Sequence, residues 1–180
     1  MSIISTSFPN TAPEPSNPRR IVLSHDPETG APAIIDNEEP IIHGESGQTF
    51  CTAYTQKDFI GRPELALEGA SRKPDQGFIQ TTGVSAGFID IAPGQDFSPH
   101  FCNTVDYLII VKGSIELGLM DGTWRSVEAG AMIVNFASAH RLKNASNEWC
   151  RFAVVAVPCE PQLVKGRPLS EEPFKALEIK

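Results

Sequence analysis

The sequence is poor in the features that mark several large classes of protein. Its longest basic run is Arg19-Arg20, charged residues make up 21%, and the formal net charge is −7. A surface that tracks a nucleic-acid backbone needs clustered Lys and Arg, so nucleic acid is not an expected partner. There are four cysteines, Cys51, Cys102, Cys150 and Cys159, and no two stand as CxxC. That spacing excludes a zinc ribbon. No apolar run reaches the roughly 20 residues of a membrane-spanning helix. The opening MSIISTSFPNTAPEPSNP has no basic start followed by an apolar core, so no secretory leader is expected. Internal repeats are missing too. These absences lead to the expectation of a cytoplasmic protein with reduced thiols and no membrane contact.

What is present is a series of short alternating segments in a chain of 180 residues, a length that suits one domain. Residues 1–18 are rich in Ser, Pro, Asn and Thr and read as a flexible or draped arm that can also wrap a partner subunit. RRIVLSH, the turn DPETG and APAIIDN read as a hairpin. Residues 40–55 carry another short apolar pattern. Residues 56–78 read mostly as loop, with ELALEGA long enough for a helical turn or two, and they are the candidate lid. From residue 79 the alternation is regular. SIELGLMDGTWRSV is a hairpin turned by Asp121-Gly122, and AMIVNF, HRLKN and WCRFAVVAV complete the set. Many short strands with closely spaced turns predict an antiparallel sandwich or barrel over 19–160. In the tail, 161–180, the Ser-Glu-Glu-Pro that opens residues 170–180 predicts a short terminal helix.

The chemistry concentrates in PHFCNTVDYLIIVKG, residues 99–113. His100 and Cys102, two apart on an extended segment, face one side. Asp106 follows, and His140 and Asn144 come later on another strand. This resembles the cupin superfamily. Its first motif has the form G-x5-H-x-H-x3,4-E-x6-G, and Gly94, His100, Cys102, Asp106 and Gly113 stand at those positions. The second motif ends P-x-G-x2-H-x3-N, where Asn135, Ala137, His140 and Asn144 stand, after Gly130. The resemblance covers roughly residues 83–158, and VDYLIIVKGSIELGLMDG is similar to the small single-domain cupins found beside natural-product enzymes. The chain departs from the pattern where the second His is Cys102, the Glu is Asp106, and Pro and Gly are Asn135 and Ala137. The barrel glycines are kept better than the ligands.

The resemblance implies an all-β, single-domain cupin: a jelly-roll barrel, or double-stranded β-helix, with an extended arm. It also implies a homodimer, which would relieve the exposed-edge problem of an open sheet. Two readings of the site stay open. His100, Asp106 and His140 can form a two-His, one-carboxylate face for zinc, iron or manganese. The same three can work without an ion, since an apolar lumen raises a carboxylate pKa and lowers that of an unpaired His. Cys102, Asn135 and Phe97 are the expected substrate contacts. The substrate is expected to be an apolar, polyketide-like small molecule that fits one small barrel. The favoured chemistry is a lyase or isomerase step: dehydration, decarboxylation or cyclisation. The alternatives are an Fe(II)-dependent dioxygenase and a non-catalytic ligand-binding or partner protein.

Overall fold

A computed structural model describes residues 12–44, 47–72 and 78–169. The hairpin read from the sequence is present: β1 (Arg19–His25) pairs antiparallel with β2 (Pro32–Glu38). It is followed by β3 (Ile42–His43) and β4 (Gln48–Gln56). ELALEGA contributes to two 3-10 turns, Pro63–Leu65 and Glu68–Ala70. Next come β5 (Val84–Ile91), β6 (Thr104–Lys112), β7 (Ser114–Leu119), β8 (Trp124–Glu128), β9 (Met132–Phe136), β10 (His140–Lys143) and β11 (Cys150–Pro158). Apart from the β1–β2 hairpin, strands β3 to β11 form two antiparallel sheets. One has six strands in the order β3-β4-β5-β11-β6-β9, and the other has three in the order β10-β7-β8. Residues 96–100 extend the second sheet through single bridges, Asp96 to Lys143 and His100 to His140.

The core follows from strand parity. In CRFAVVAVP of β11, Cys150, Phe152, Val154 and Ala156 are buried and the residues between them are half-buried. Cys150, Phe152 and Val154 meet Ile91, Leu108, Ile110, Ile115 and Leu142 in one cluster between the sheets. Period-2 burial of this kind places every second side chain inside. The chain passes from the large sheet to the small one in a single residue, Gly113, whose φ is 76°. A Cβ there would sit 2.9 Å from the Trp149 carbonyl oxygen. Only glycine takes that left-handed bend without strain.

Phe88 lies half-buried on the outer face, with the Arg151 guanidinium 5.8 Å from its ring centre. The reason is register. Ile89 and Ile91 face inward on β5, so Phe88 must face out. The same outer face receives the arm. The Ala12 carbonyl accepts from Trp149 Nε1 (3.3 Å), and the Ser16 carbonyl accepts from Arg151 Nη2 (2.8 Å). Arg20, buried, ties the hairpin down: it pairs with Glu39 and donates to the carbonyls of Ala53 (3.0 Å) and Ala70 (2.6 Å). Within the tail, β12 (Leu163–Val164) and β13 (Arg167–Pro168) form an exposed two-residue ladder. The short helix expected within 170–180 lies outside the described residues. Among the described residues no helix is long and apolar enough to cross a membrane.

Candidate active site in the barrel lumen

Between the sheets lies a cavity of about 550 Å³. Its walls are apolar along most of their length: Phe50, Ile89, Leu108, Phe152 and Val154 from the six-stranded sheet, Leu142 from the other, and Phe78, Ile79 and Phe97 from the loops. His100, Cys102, Asp106 and His140 all line it. The three residues read from the sequence as the working set therefore reach one lumen, together with Cys102 and Phe97.

Each polar group is placed by backbone. His100 and His140 face each other through reciprocal N–H to carbonyl bonds of 3.0 Å, which put the two rings side by side with centres 4.5 Å apart. Nδ1 of His140 is 2.9 Å from the Ser138 carbonyl, and Nδ1 of His100 is 3.1 Å from the Ser98 carbonyl. A carbonyl can only accept, so each Nδ1 carries the proton and each Nε2 keeps its lone pair. Asp106 comes from the middle of β6, and its Oδ2 accepts from Asn135 Nδ2 at 3.4 Å. Tyr107, the next residue, points to the opposite face and is exposed, as the alternation requires.

Burial tunes these groups toward one another. Removal from water is the largest influence on Asp106 and raises its pKa, against the weaker pull of Thr104, Asn135 and the two histidines. The Thr104 hydroxyl is close enough to favour the ionised carboxylate but makes no hydrogen bond of good geometry. Burial is also the main influence on His140, lowering its pKa, and the Ser138 carbonyl and Asp106 offset it only in part. Burial first, then the charge of Asp106, raises the pKa of the Cys102 thiol, which is held neutral. A carboxyl that keeps its proton longer than usual thus shares a lumen with an imidazole that stays neutral longer than usual.

The His140 shift carries a stability consequence. The unfolded imidazole takes up a proton near 6.5, while the folded one resists it to lower pH. The unfolded chain then binds more protons, so the contribution is complete above 6.5 and is lost as pH falls toward the folded value. Asp106 has the other sign: its raised folded pKa favours the native state at low pH, and that benefit goes as pH rises through the folded value. Thermal midpoints measured from pH 7 down to pH 5 should therefore fall less steeply for His140→Gln than for the unaltered chain. An equal slope in both would show that His140 titrates alike in folded and unfolded states.

Asn135 is placed differently from a substrate contact. It is 7% exposed and does not line the cavity. Its Oδ1 accepts from the Ser138 N–H (3.1 Å), which fixes the amide so that Nδ2 faces Asp106. Nδ2 also lies 3.5 Å from His140 Nδ1, but both atoms are donors and do not bond. Asn135 is a bracket behind the acid and beneath the histidine. The turn that carries it from β9 to β10 passes through Ala137, with φ 44°, at the position where the resemblance has glycine.

Among the described residues no three His, Cys, Asp or Glu side chains form a group able to hold an ion. Two contributors were not read from the sequence. Phe50 and Phe78 come from N-terminal segments that the motifs do not cover, and Phe78 enters because β5 carries Gly87 beneath it, where a Cβ would sit 2.9 Å from the ring. The loop that follows β4 makes its own smaller cavity of about 290 Å³ with Tyr54. Two of its arginines are already paired, Arg62 with Asp58 and Arg72 with Glu68.

Two facing antiparallel sheets, with the glycine bend at Gly113 and the backbones of His100 and His140 bridged, form the all-β, single-domain barrel that the cupin resemblance implies. Comparison with known proteins agrees. The chain is 26% identical over 174 residues to the cupin-domain-containing oxidoreductase srdB of Neurospora crassa, across 92% of this chain and 88% of that protein. It is 22% identical over 167 residues to the phomopsin biosynthesis cluster protein D of Diaporthe leptostromiformis, across 88% and 87%. Among solved structures, the polyketide cyclase RemF from Streptomyces resistomycificus aligns with a TM-score of 0.47 at 21% identity, covering 78% of this chain and 88% of that one. No family model matches the chain.

Proposed function

We propose that this cupin is a cytoplasmic tailoring enzyme of secondary metabolism, acting on an apolar, polyketide-like molecule in the lumen by a lyase or isomerase step. The observation that carries the reading is the pairing of a neutral His140, its Nε2 left free by the Ser138 contact, with the Asp106 carboxyl of raised pKa in one apolar cavity. The phomopsin-cluster relative supports the pathway class, and the four unpaired thiols agree with a reducing compartment. In the proposed step, His140 Nε2 takes the proton from a carbon next to a carbonyl. The C–H electron pair moves into the enolate, and the Asp106 carboxyl gives its proton to the enolate oxygen or to a departing hydroxyl, which leaves as water. His100, across the ring contact, completes the proton path. Isomerisation returns the proton at a second carbon, and cyclisation uses the same enolate as nucleophile.

The Neurospora relative, an oxidoreductase by name, favours a second reading, oxidation of the same kind of molecule. One experiment separates the two. A cyclic β-diketone probe is incubated with the protein in deuterium oxide without oxygen and with a chelator, and α-proton exchange is followed by NMR. Exchange well above the buffer rate is expected. Exchange at the buffer rate, with oxygen uptake and stoichiometric iron in the purified protein, would replace the proton-transfer reading by the oxidative one.

A further inference from the structure

We propose that the polar end of the lumen, over Ala156 and beside Asp106, seats a hydroxyl that leaves the substrate as water, so that the substrates are β-hydroxy carbonyl compounds and the step is dehydration. The inference rests on the proton-transfer reading above and starts from register. Thr55, Ser85, Ala156, Asp106 and Asn135 stand directly opposite one another across β4, β5, β11, β6 and β9. Opposed residues share a face of the sheet, and Ala156 and Asp106 put this row on the lumen side. The next row holds Gly87, Val154, Leu108 and Ile133 beside Thr52, and the one after it Phe50, Ile89, Phe152 and Ile110. The apolar middle of the sheet thus gives way to a polar row at the end that carries the acid.

Among the described residues, three buried side-chain polar atoms have no hydrogen-bond partner: Gln80 Nε2, Ser85 Oγ and Thr104 Oγ1. Ser85, 0% exposed, stands in the row next to Ala156, and Thr104, 1% exposed, is two residues from Asp106 on the same face of β6. Gln80 follows Phe78 and Ile79, which line the lumen. The other polar side chains of the row are engaged, Thr55 with the Arg72 carbonyl (3.5 Å) and Asn135 with Ser138 and Asp106. Buried hydroxyls without a partner are costly and uncommon. Ser85 and Thr104 do not line the cavity themselves; each is the next inner residue beyond one that does. Together they extend the polar surface past Ala156 and Asp106.

Size and charge select the group received there. Adjacent strands lie about 4.8 Å apart, so the Cα atoms of Ser85 and Asp106 are about 10 Å apart, with only the Ala156 methyl between them. That step in the floor suits a single oxygen, a water taking about 30 Å³. A carboxylate is disfavoured, because among the described residues no Lys or Arg lines the lumen to balance it. Loss of water is therefore favoured over loss of carbon dioxide. His140 Nε2 takes the proton from the carbon between carbonyl and carbinol. The C–H electron pair becomes the new C=C bond as the C–O bond breaks, and Asp106 gives its proton to the departing oxygen. Return of the proton from His140 to Asp106 restores both groups, and no oxidant is consumed.

The aldol adduct of acetone and benzaldehyde tests this. Exchange of its α-protons in deuterium oxide, read by NMR, and loss of water to the conjugated enone, read by absorbance, are followed on one molecule. The unaltered chain should catalyse both. Ala156→Val, which adds two methyl groups over the step, should lower the ratio of water loss to exchange by roughly tenfold or more. Ser85→Ala adds no bulk, should lower the same ratio by roughly threefold, and should melt no lower than the unaltered chain, since no hydrogen bond is lost. Ser85→Ala decides the matter if Ala156→Val does not fold. A ratio unmoved in either folded variant overturns the assignment. Exchange without water loss by the unaltered chain also overturns it and leaves the proton-transfer reading in place, whereas the absence of both removes that reading as well.

Discussion

Replacing His140 by glutamine should lower kcat by about 100- to 10,000-fold, the usual contribution of a positioned general base. Glutamine can still reach the Ser138 carbonyl with its amide N–H, so the loop from Asn135 to His140 keeps its shape. What it lacks is a basic nitrogen where Nε2 meets the lumen. KM should change little, because the walls that hold an apolar ligand are Phe50, Phe97, Leu108, Phe152 and their neighbours, and these are untouched. His100→Gln should cost less, since His100 is exposed where His140 is buried. The measurement is turnover of the probe by each purified variant, with melting curves beside it. A folded His140→Gln protein with undiminished turnover would remove the acid/base reading, and would leave a barrel that binds its ligand without altering it.

The fold was legible in the sequence wherever burial is one-sided. β7 and β8 declare themselves through Ile115 and Leu117 and the Asp121-Gly122 turn, and that hairpin stands where the alternation puts it. β11, buried on alternate residues throughout, is legible for the same reason. The side on which Phe88 falls was not legible, because aromatic character says nothing of parity, and only pairing of Ile89 with Phe152 and Phe50 settles which way β5 faces. In the site, His100, Asp106 and His140 could be found because a barrel lumen leaves few reasons to place such groups at even positions of inward-facing strands. Asn135 could be found but not interpreted. Its role depends on the tight turn at Ala137 and on the Ser138 N–H, a local geometry that sequence spacing does not carry. The arm's path was out of reach altogether: Ala12 meets Trp149 across 137 positions of sequence.

Arg151→Met should be the most destabilising single change on the outer face, at about 3–5 kcal/mol. Asp90, 1% exposed, is held by three hydrogen bonds: from Arg151 Nε (2.6 Å), Arg151 Nη2 (2.8 Å) and Thr49 Oγ1 (3.0 Å). Removing the guanidinium leaves a buried carboxylate with one neutral donor. It also releases the Ser16 carbonyl and takes the cation from the face of Phe88. For a chain of this length the loss corresponds to a fall in Tm on the order of 10 °C. The cost comes from the orphaned partner rather than from the pair itself, so the double variant Asp90→Val with Arg151→Met should recover most of it. Chemical denaturation of the two single variants and the double measures the coupling directly. A loss under about 1 kcal/mol for Arg151→Met would mean that water reaches Asp90 as soon as the arginine goes. Activity per folded molecule should not change in any of the three, because Asp90 and Arg151 face away from the lumen. That contrast with His140→Gln, stability lost on one face of the six-stranded sheet and turnover on the other, follows from strand parity alone.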